Sequence, residues 1–325
     1  MLNVKNVFNV KDADFEPLAL QIFSYQAQNN KIYKSYLKHL NTDVSAVDSI
    51  KKIPFLPISF FKTHKILADK QKEEIIFSSS GTTGMQTSSH FVADLKLYEQ
   101  SFLKGFQQFY GDVEEYCILA LLPSYIEKGG SSLVYMTKTL IEKSKHSQSG
   151  FYLHNLDDLA NTLETLNKKG QKTLLIGVSY ALLDLIEKYQ FNLKNTIVLE
   201  TGGMKGYRKE MIKEEFYAVL KKGFGVSEIH SEYGMTELLS QAYSYNNGRF
   251  KTVPWLKILI RDINDPFDFL PLEKSGGINI IDLANIYSCS FIATQDLGKN
   301  HSDGTFSILG RFDDSDIRGC NLLVQ

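Results

Sequence analysis

The run Phe77-Ser78-Ser79-Ser80-Gly81-Thr82-Thr83-Gly84 packs three serines, two threonines and two glycines into eight positions. Glycine lets a backbone turn tightly, and converging amides and hydroxyls make a concavity suited to phosphate oxygens. No Lys-Ser or Lys-Thr follows the second glycine, so the loop is not of the Walker type. Alone, a polar surface turn explains it equally well. A second run, His230-Ser231-Glu232-Tyr233-Gly234-Met235-Thr236-Glu237, brings together a ring for base stacking (Tyr233), a flexible Gly234, a hydroxyl for a phosphate (Thr236) and a carboxylate for magnesium (Glu237). Its bland counterpart is a strand-end turn entering a helix, with Glu237 in the first turn. His230 could orient a substrate carboxylate or act as a base, although a histidine there is as often structural. The third feature is Thr294-Gln295-Asp296-Leu297-Gly298 and, after a turn, Gly310-Arg311 onward to Gly319. One carboxylate such as Asp296 can accept both hydroxyls of a ribose, whereas charge-rich turns are usually only solvated hairpins.

The three cysteines, Cys117, Cys289 and Cys320, match neither a zinc spacing nor a disulfide framework, which points to a reducing cytoplasm. Cys117 and Cys289 sit in apolar runs and read as packing residues. Cys320 could serve as a nucleophile, its thiol acidified by Arg311 and Arg318 but opposed by Asp313, Asp314 and Asp316. His90 has a weaker claim to a role. Lys205 and Arg208 read as a solvated helix start that could also meet anionic oxygens.

These side chains need a scaffold, and the composition permits one. The chain has 325 residues, 43% hydrophobic and 22% charged, and 36 basic residues nearly balance 37 acidic ones. No global field draws it to nucleic acid or to an anionic membrane. The N-terminus lacks an apolar h-region, and the run from Ile53 to Phe61 is interrupted by Pro54 and Pro57, so no membrane span is expected.

Residues 1–70 read as a helical collar plus an extended, partly buried connector. Residues 71–253 alternate short β-branched runs with amphipathic stretches, the pattern of an α/β body with a mainly parallel sheet. Strands are expected at 74–77, 116–122, 173–178, 196–200 and 228–233, and helices at 95–110, 132–145, 156–169, 181–189 and 208–221. Residues 254–325 read as a small β-rich subdomain with strands at 257–261, 277–281, 288–293 and 305–309. No linker separates independent domains.

Taken in order, the three runs resemble the adenylate-forming superfamily of acyl- and aryl-CoA ligases, luciferases and peptide-synthetase adenylation domains. The resemblance spans Phe77 to Gly319 and implies that family's multilayer large domain. By it, Ser78, Ser79, Ser80, Gly81, Thr82, Thr83 and Gly84 form the triphosphate loop. Tyr233, Gly234, Thr236 and Glu237 form the adenine, phosphate and magnesium motif; Gly202 and Gly203 lie beside the adenine; Asp296 matches the ribose aspartate, and Arg311 is a further candidate for nucleotide binding. The segments Pro54 to Lys62, Leu122 to Tyr125, Ser131 to Leu133 and Ile317 to Leu323 are more closely similar to the LuxE-type acyl-protein synthetase branch, related to phenylacetate-CoA ligases. This implies a fatty acyl-adenylate, capture of the acyl group on Cys320 and delivery to a partner acyl reductase or carrier. Ser124, Tyr125, Ser131 and Ser132 are then candidates for the acyl pocket, with a helix cap as an equal explanation of Ser131. The broader superfamily's mobile C-terminal lid, whose lysine assists adenylation, is expected to be absent; Lys62, Lys205, Arg208 or a partner could supply the cation. The rival expectations are a CoA ligase of the phenylacetate type and a non-catalytic nucleotide-binding scaffold.

Overall fold

The computed structural model describes residues 4–79, 87–122, 130–153, 155–202 and 211–312. The chain enters through α1 (Asp12–Asn29) and α2 (Lys31–His39), joined at Asn30, whose side chain accepts from Ile32 N and Tyr33 N and so caps α2. The proline-rich connector that follows holds the short β1 (Leu56–Pro57) and α3 (Phe60–Thr63). It is pinned by Tyr33 and Tyr36, whose hydroxyls donate to the Pro54 and Phe55 carbonyls at 2.6 and 3.0 Å. A two-stranded antiparallel hairpin, β2 (Ile75–Ser78) and β3 (Ser89–Val92), comes next.

The α/β body is β4 (Cys117–Leu121), β5 (Gly150–Phe151), β6 (Thr173–Val178), β7 (Thr196–Thr201) and β8 (His230–Tyr233), crossed by α4 (Leu95–Tyr110), α5 (Ser132–Ser144), α6 (Leu156–Lys168), α7 (Ser179–Lys188) and α8 (Lys213–Phe224). These strands pair in parallel. β4 and β6 are buried at every position, which is why they read as unbroken apolar runs. Gly223 admits a close approach of α8 to α7, since a Cβ there would collide with Ile186.

After β8 the sheet turns antiparallel. β9 (Ala242–Ser244), β10 (Arg249–Thr252), β11 (Leu256–Arg261), β12 (Ser275–Asp282), β13 (Phe291–Asn300) and β14 (Phe306–Arg311) continue it in the order β11-β12-β13-β14-β10-β9-β8-β7-β6-β4-β5, with β1 beside β13. The β-rich stretch therefore shares one hydrogen-bonded sheet with the body.

Several expectations shift. The helix expected at 208–221 begins at Lys213 and runs to Phe224, where Gly225 at φ 66° ends it. The strand expected at 288–293 starts at Phe291 and runs to Asn300, because 283–290 form the turn back from β12. The β9–β10 hairpin was not expected, although Asn247-Gly248 marks it: both residues have positive φ, 58° and 64°, as a tight hairpin turn requires. Among the described residues, no helix is long and apolar enough to cross a membrane.

Candidate functional site

The second run falls at the carboxyl end of β8, where open parallel sheets gather ligands. No helix follows. The chain passes through a turn and returns as β9, antiparallel to β8, so Thr236 and Glu237 sit on a turn held by distant elements. His90 on β3 is wholly buried; its Nδ1 donates to the Thr236 carbonyl at 2.8 Å, and its Nε2 lies 3.1 Å from Asn285 Oδ1. Asn285 in turn donates from Nδ2 to the Glu237 carbonyl at 2.8 Å. Burial pulls the imidazole pKa down to about 4, against the opposing effect of its Thr236 and Asn285 contacts. The Glu237 carboxyl is buried and its pKa raised by desolvation, against a hydrogen bond from Ser88. A buried carboxyl of this kind fits a hard divalent cation that draws its other oxygens from phosphates.

Those contacts tie the turn to the first run. Phe77 and Ser78 lie on β2, opposite His90 and Ser89 on β3. Ser79 Oγ accepts from Ser88 N at 2.9 Å, and Ser78 N donates to the Gly130 carbonyl at 2.8 Å. Ser80, Gly81, Thr82, Thr83 and Gly84 lie outside the described residues.

Thr294–Gly298 and Gly310–Arg311 of the third run lie on strands, while 313–319 lie outside the described residues. Asp296 is in mid-strand on β13 and faces Arg311 on β14 as its register partner. Asp296 Oδ2 accepts from the Tyr233 hydroxyl at 2.7 Å, and Oδ1 lies 3.4 Å from Arg311 Nε. Burial raises the Asp296 carboxyl, with Tyr233, Arg311 and Arg261 acting in the opposite direction. Glu237 senses the charges of both Arg311 and Asp296, so the second and third runs share one electrostatic neighbourhood.

Not every candidate joins them. His230 stands at the opposite, amino-terminal end of β8, in a rim with Leu193, Lys194, Thr196 and Glu228. Its ring packs against Tyr110 and Tyr245, with centroids 5.7 and 5.2 Å away, and burial holds it neutral, down to about 4. The structure does not bring it to the other candidates: three residue steps along β8, a run of about 10 Å, separate it from Tyr233. Cys117 and Cys289 are buried, and burial pushes Cys289 up to about 12, which suits packing. Ser131 caps α5, its Oγ accepting from Val134 N at 3.4 Å. Gly202 has φ 73°, and its carbonyl accepts from Ser179 Oγ at 3.2 Å. Gly203, Lys205, Arg208, Ser124, Tyr125 and Cys320 lie outside the described residues.

Comparison with known proteins bears directly on this arrangement. The acyl-protein synthetase LuxE family matches residues 8–325, nearly the whole chain. The chain belongs to the LuxE acyl-protein synthetase family. Its fold is that of adenylate-forming enzymes. The LuxE-family chain is similar to ATP-bound MatB from Rhodopseudomonas palustris at TM-score 0.55 and 16% identity, over 75% of this chain and 49% of that one. It is similar to a 2-hydroxyisobutyryl-CoA ligase in complex with 2-HIB-AMP and CoA at TM-score 0.68 and 11% identity, over 93% and 71%. A luciferase-like enzyme from the nonluminescent mealworm Zophobas morio aligns at TM-score 0.51 and 16% identity, over 76% and 59%. The chain thus spans about half the length of MatB. No curated protein matches it.

Ser88 and Asn285 are not among the sequence candidates, and His90 is only a weak one. Their role is visible only once β3 and the β12–β13 turn meet the Thr236–Glu237 turn. No local pattern marks such a three-way junction.

Proposed function

We propose that this LuxE-family chain uses ATP to activate a carboxylic acid, of fatty acyl type, as an acyl-adenylate and then passes the acyl group to a thiol. The observation that carries the reading is the convergence of Tyr233, Asp296 and Arg311 with the Thr236–Glu237 turn at the carboxyl end of the parallel strands. Asp296 would accept the ribose hydroxyls and Tyr233 would support the base. Ser78, Ser79 and the residues through Gly84 would hold the triphosphate, with Gly202 and Gly203 beside the adenine. Glu237 and the phosphates would hold magnesium, which when bound neutralises the triphosphate charge. A carboxylate oxygen of the substrate attacks the α-phosphorus, the α–β anhydride bond breaks and pyrophosphate leaves. The thiolate of Cys320 then attacks the acyl carbon and AMP leaves, giving a thioester from which a partner acyl reductase or carrier takes the acyl group. The chain's contribution to the first step is positioning and charge neutralisation.

Pyrophosphate exchange dependent on an added acid tests the first step, and its absence with every acid, with and without candidate partners, sinks it. Intact-mass analysis of Cys320→Ser tests the second: adenylation should continue while the acyl adduct disappears. Similarity to a ligase structure that contains CoA favours a second reading, release of acyl-CoA. That reading wins if acyl-CoA forms at an unchanged rate in Cys320→Ser.

A further inference from the structure

Two buried carboxylates lie beneath the site without a part in the reaction just described. Glu232 and Glu200 occupy neighbouring parallel strands, β8 and β7, each one residue before the end of its strand. Glu200 is enclosed by polar partners: Ser179 Oγ donates to it at 3.1 Å, Tyr217 OH lies 3.4 Å away, and the half-sequestered Lys213 faces it. Glu232 points to the other face, among the buried phenols of Tyr98, Tyr110 and Tyr243. The Thr201 hydroxyl donates to its Oε2 at 2.5 Å. The other oxygen closes over Gly234: a Cβ on that residue would collide with Glu232 Oε1.

The Glu232 carboxyl therefore touches both chain segments that leave the sheet toward the nucleotide. Thr201 is the last residue of β7 and is followed by Gly202. Gly234 is the first residue after β8 and leads to Thr236 and Glu237. We propose that Glu232 is a positioning residue for the nucleotide, a tie that holds the β7 exit at Thr201–Gly202 and the β8 exit at Tyr233–Gly234 in one fixed relation. The inference rests on the ATP reading of this site. A short side-chain bridge adds a direct link between exits that have separate anchors elsewhere: Gly202 through Ser179, Tyr233 through Asp296, and the turn beyond it through His90 and Asn285. Loose exits would admit nucleotide in several poses, and the loss would fall on binding before it fell on chemistry.

The test uses acid-dependent pyrophosphate exchange on the full chain, with ATP titrated, for wild type, Glu232→Ala, Thr201→Val, their combination and Glu232→Gln. The expected result is a rise of about tenfold or more in KM for ATP in each of the two single variants, with kcat held within about threefold. The double variant should be no worse than either single one, since both cut the same tie. Glu232→Gln keeps an oxygen for Thr201 and should restore KM to within about threefold of wild type. The proposal is overturned if Thr201→Val and Glu232→Ala leave KM for ATP unchanged, if their effects multiply, or if kcat falls while KM stays put. If Glu232→Ala does not fold, Thr201→Val against Thr201→Ser decides alone. Wild type without any exchange would instead defeat the underlying ATP reading.

Discussion

Arg311 stands directly across the β13–β14 ladder from Asp296, with Nε 3.4 Å from Oδ1, while the other oxygen of the same carboxylate takes the Tyr233 hydroxyl at 2.7 Å. The base-stacking candidate and the ribose candidate are thus linked before any nucleotide arrives. Replacing Asp296 by Asn leaves the Tyr233 hydroxyl an acceptor but removes the charge. We expect acid-dependent exchange to fall on the order of a hundredfold in kcat/KM for ATP, as for loss of a charge-assisted contact. Arg311→Ala should cost less, about tenfold, because the guanidinium is largely exposed and screened. Equal losses in the two variants would contradict this ordering.

The His90–Asn285 junction should couple the hairpin carrying the phosphate loop to the Thr236–Glu237 turn. Asn285→Ala strips the Glu237 carbonyl of its donor and leaves His90 Nε2 facing a void. Urea unfolding should show a loss of about 1–3 kcal/mol, the usual cost of an orphaned buried polar group. Exchange activity at saturating ATP should fall further than the folded fraction does. Activity that merely tracks folding would reduce the junction to a structural strut.

Glu232 also predicts a pH dependence of stability. Burial raises its carboxyl from 4.5 to about 7, with Glu200 adding to the shift and the Thr201 hydroxyl opposing it. Between those values the folded protein holds a proton that the unfolded chain releases, so stability falls as pH rises through that window. Glu232→Gln cannot ionise and should escape the penalty. The variant should match wild type near pH 4 and exceed it above pH 7 by up to about 3 kcal/mol. Urea midpoints at both ends of the window check this, and an unchanged difference between variant and wild type across them would refute it.

His230 supplies the negative control. It lies at the far end of β8 from Tyr233, in an aromatic nest with Tyr110 and Tyr245. His230→Gln should keep exchange within about twofold per folded molecule, as expected of a residue remote from the reacting atoms. A hundredfold loss would return it to the site.

Much of this architecture was legible from the chain. The strand at Thr173–Val178 and the helix at Leu95–Tyr110 stand where the periodicity places them, because fully buried parallel strands read as apolar runs and surface helices show their apolar stripe. The ordered runs at Ser78, Tyr233 and Asp296 carry the resemblance to adenylate-forming enzymes, because residue type and order along the chain survive in the sequence. Other decisions needed the folded molecule. Asp296 reads as part of a charged turn until β14 pairs with β13 and buries it. His230 and Tyr233, three residues apart, share one motif, and only strand direction puts one at the site and the other at the opposite rim. Ser88, His90 and Asn285 have no shared local signal, since their partnership joins positions nearly 200 apart. Residue chemistry is local and survives in the sequence, whereas register, strand direction and burial depend on long-range pairing and were settled by the tertiary structure.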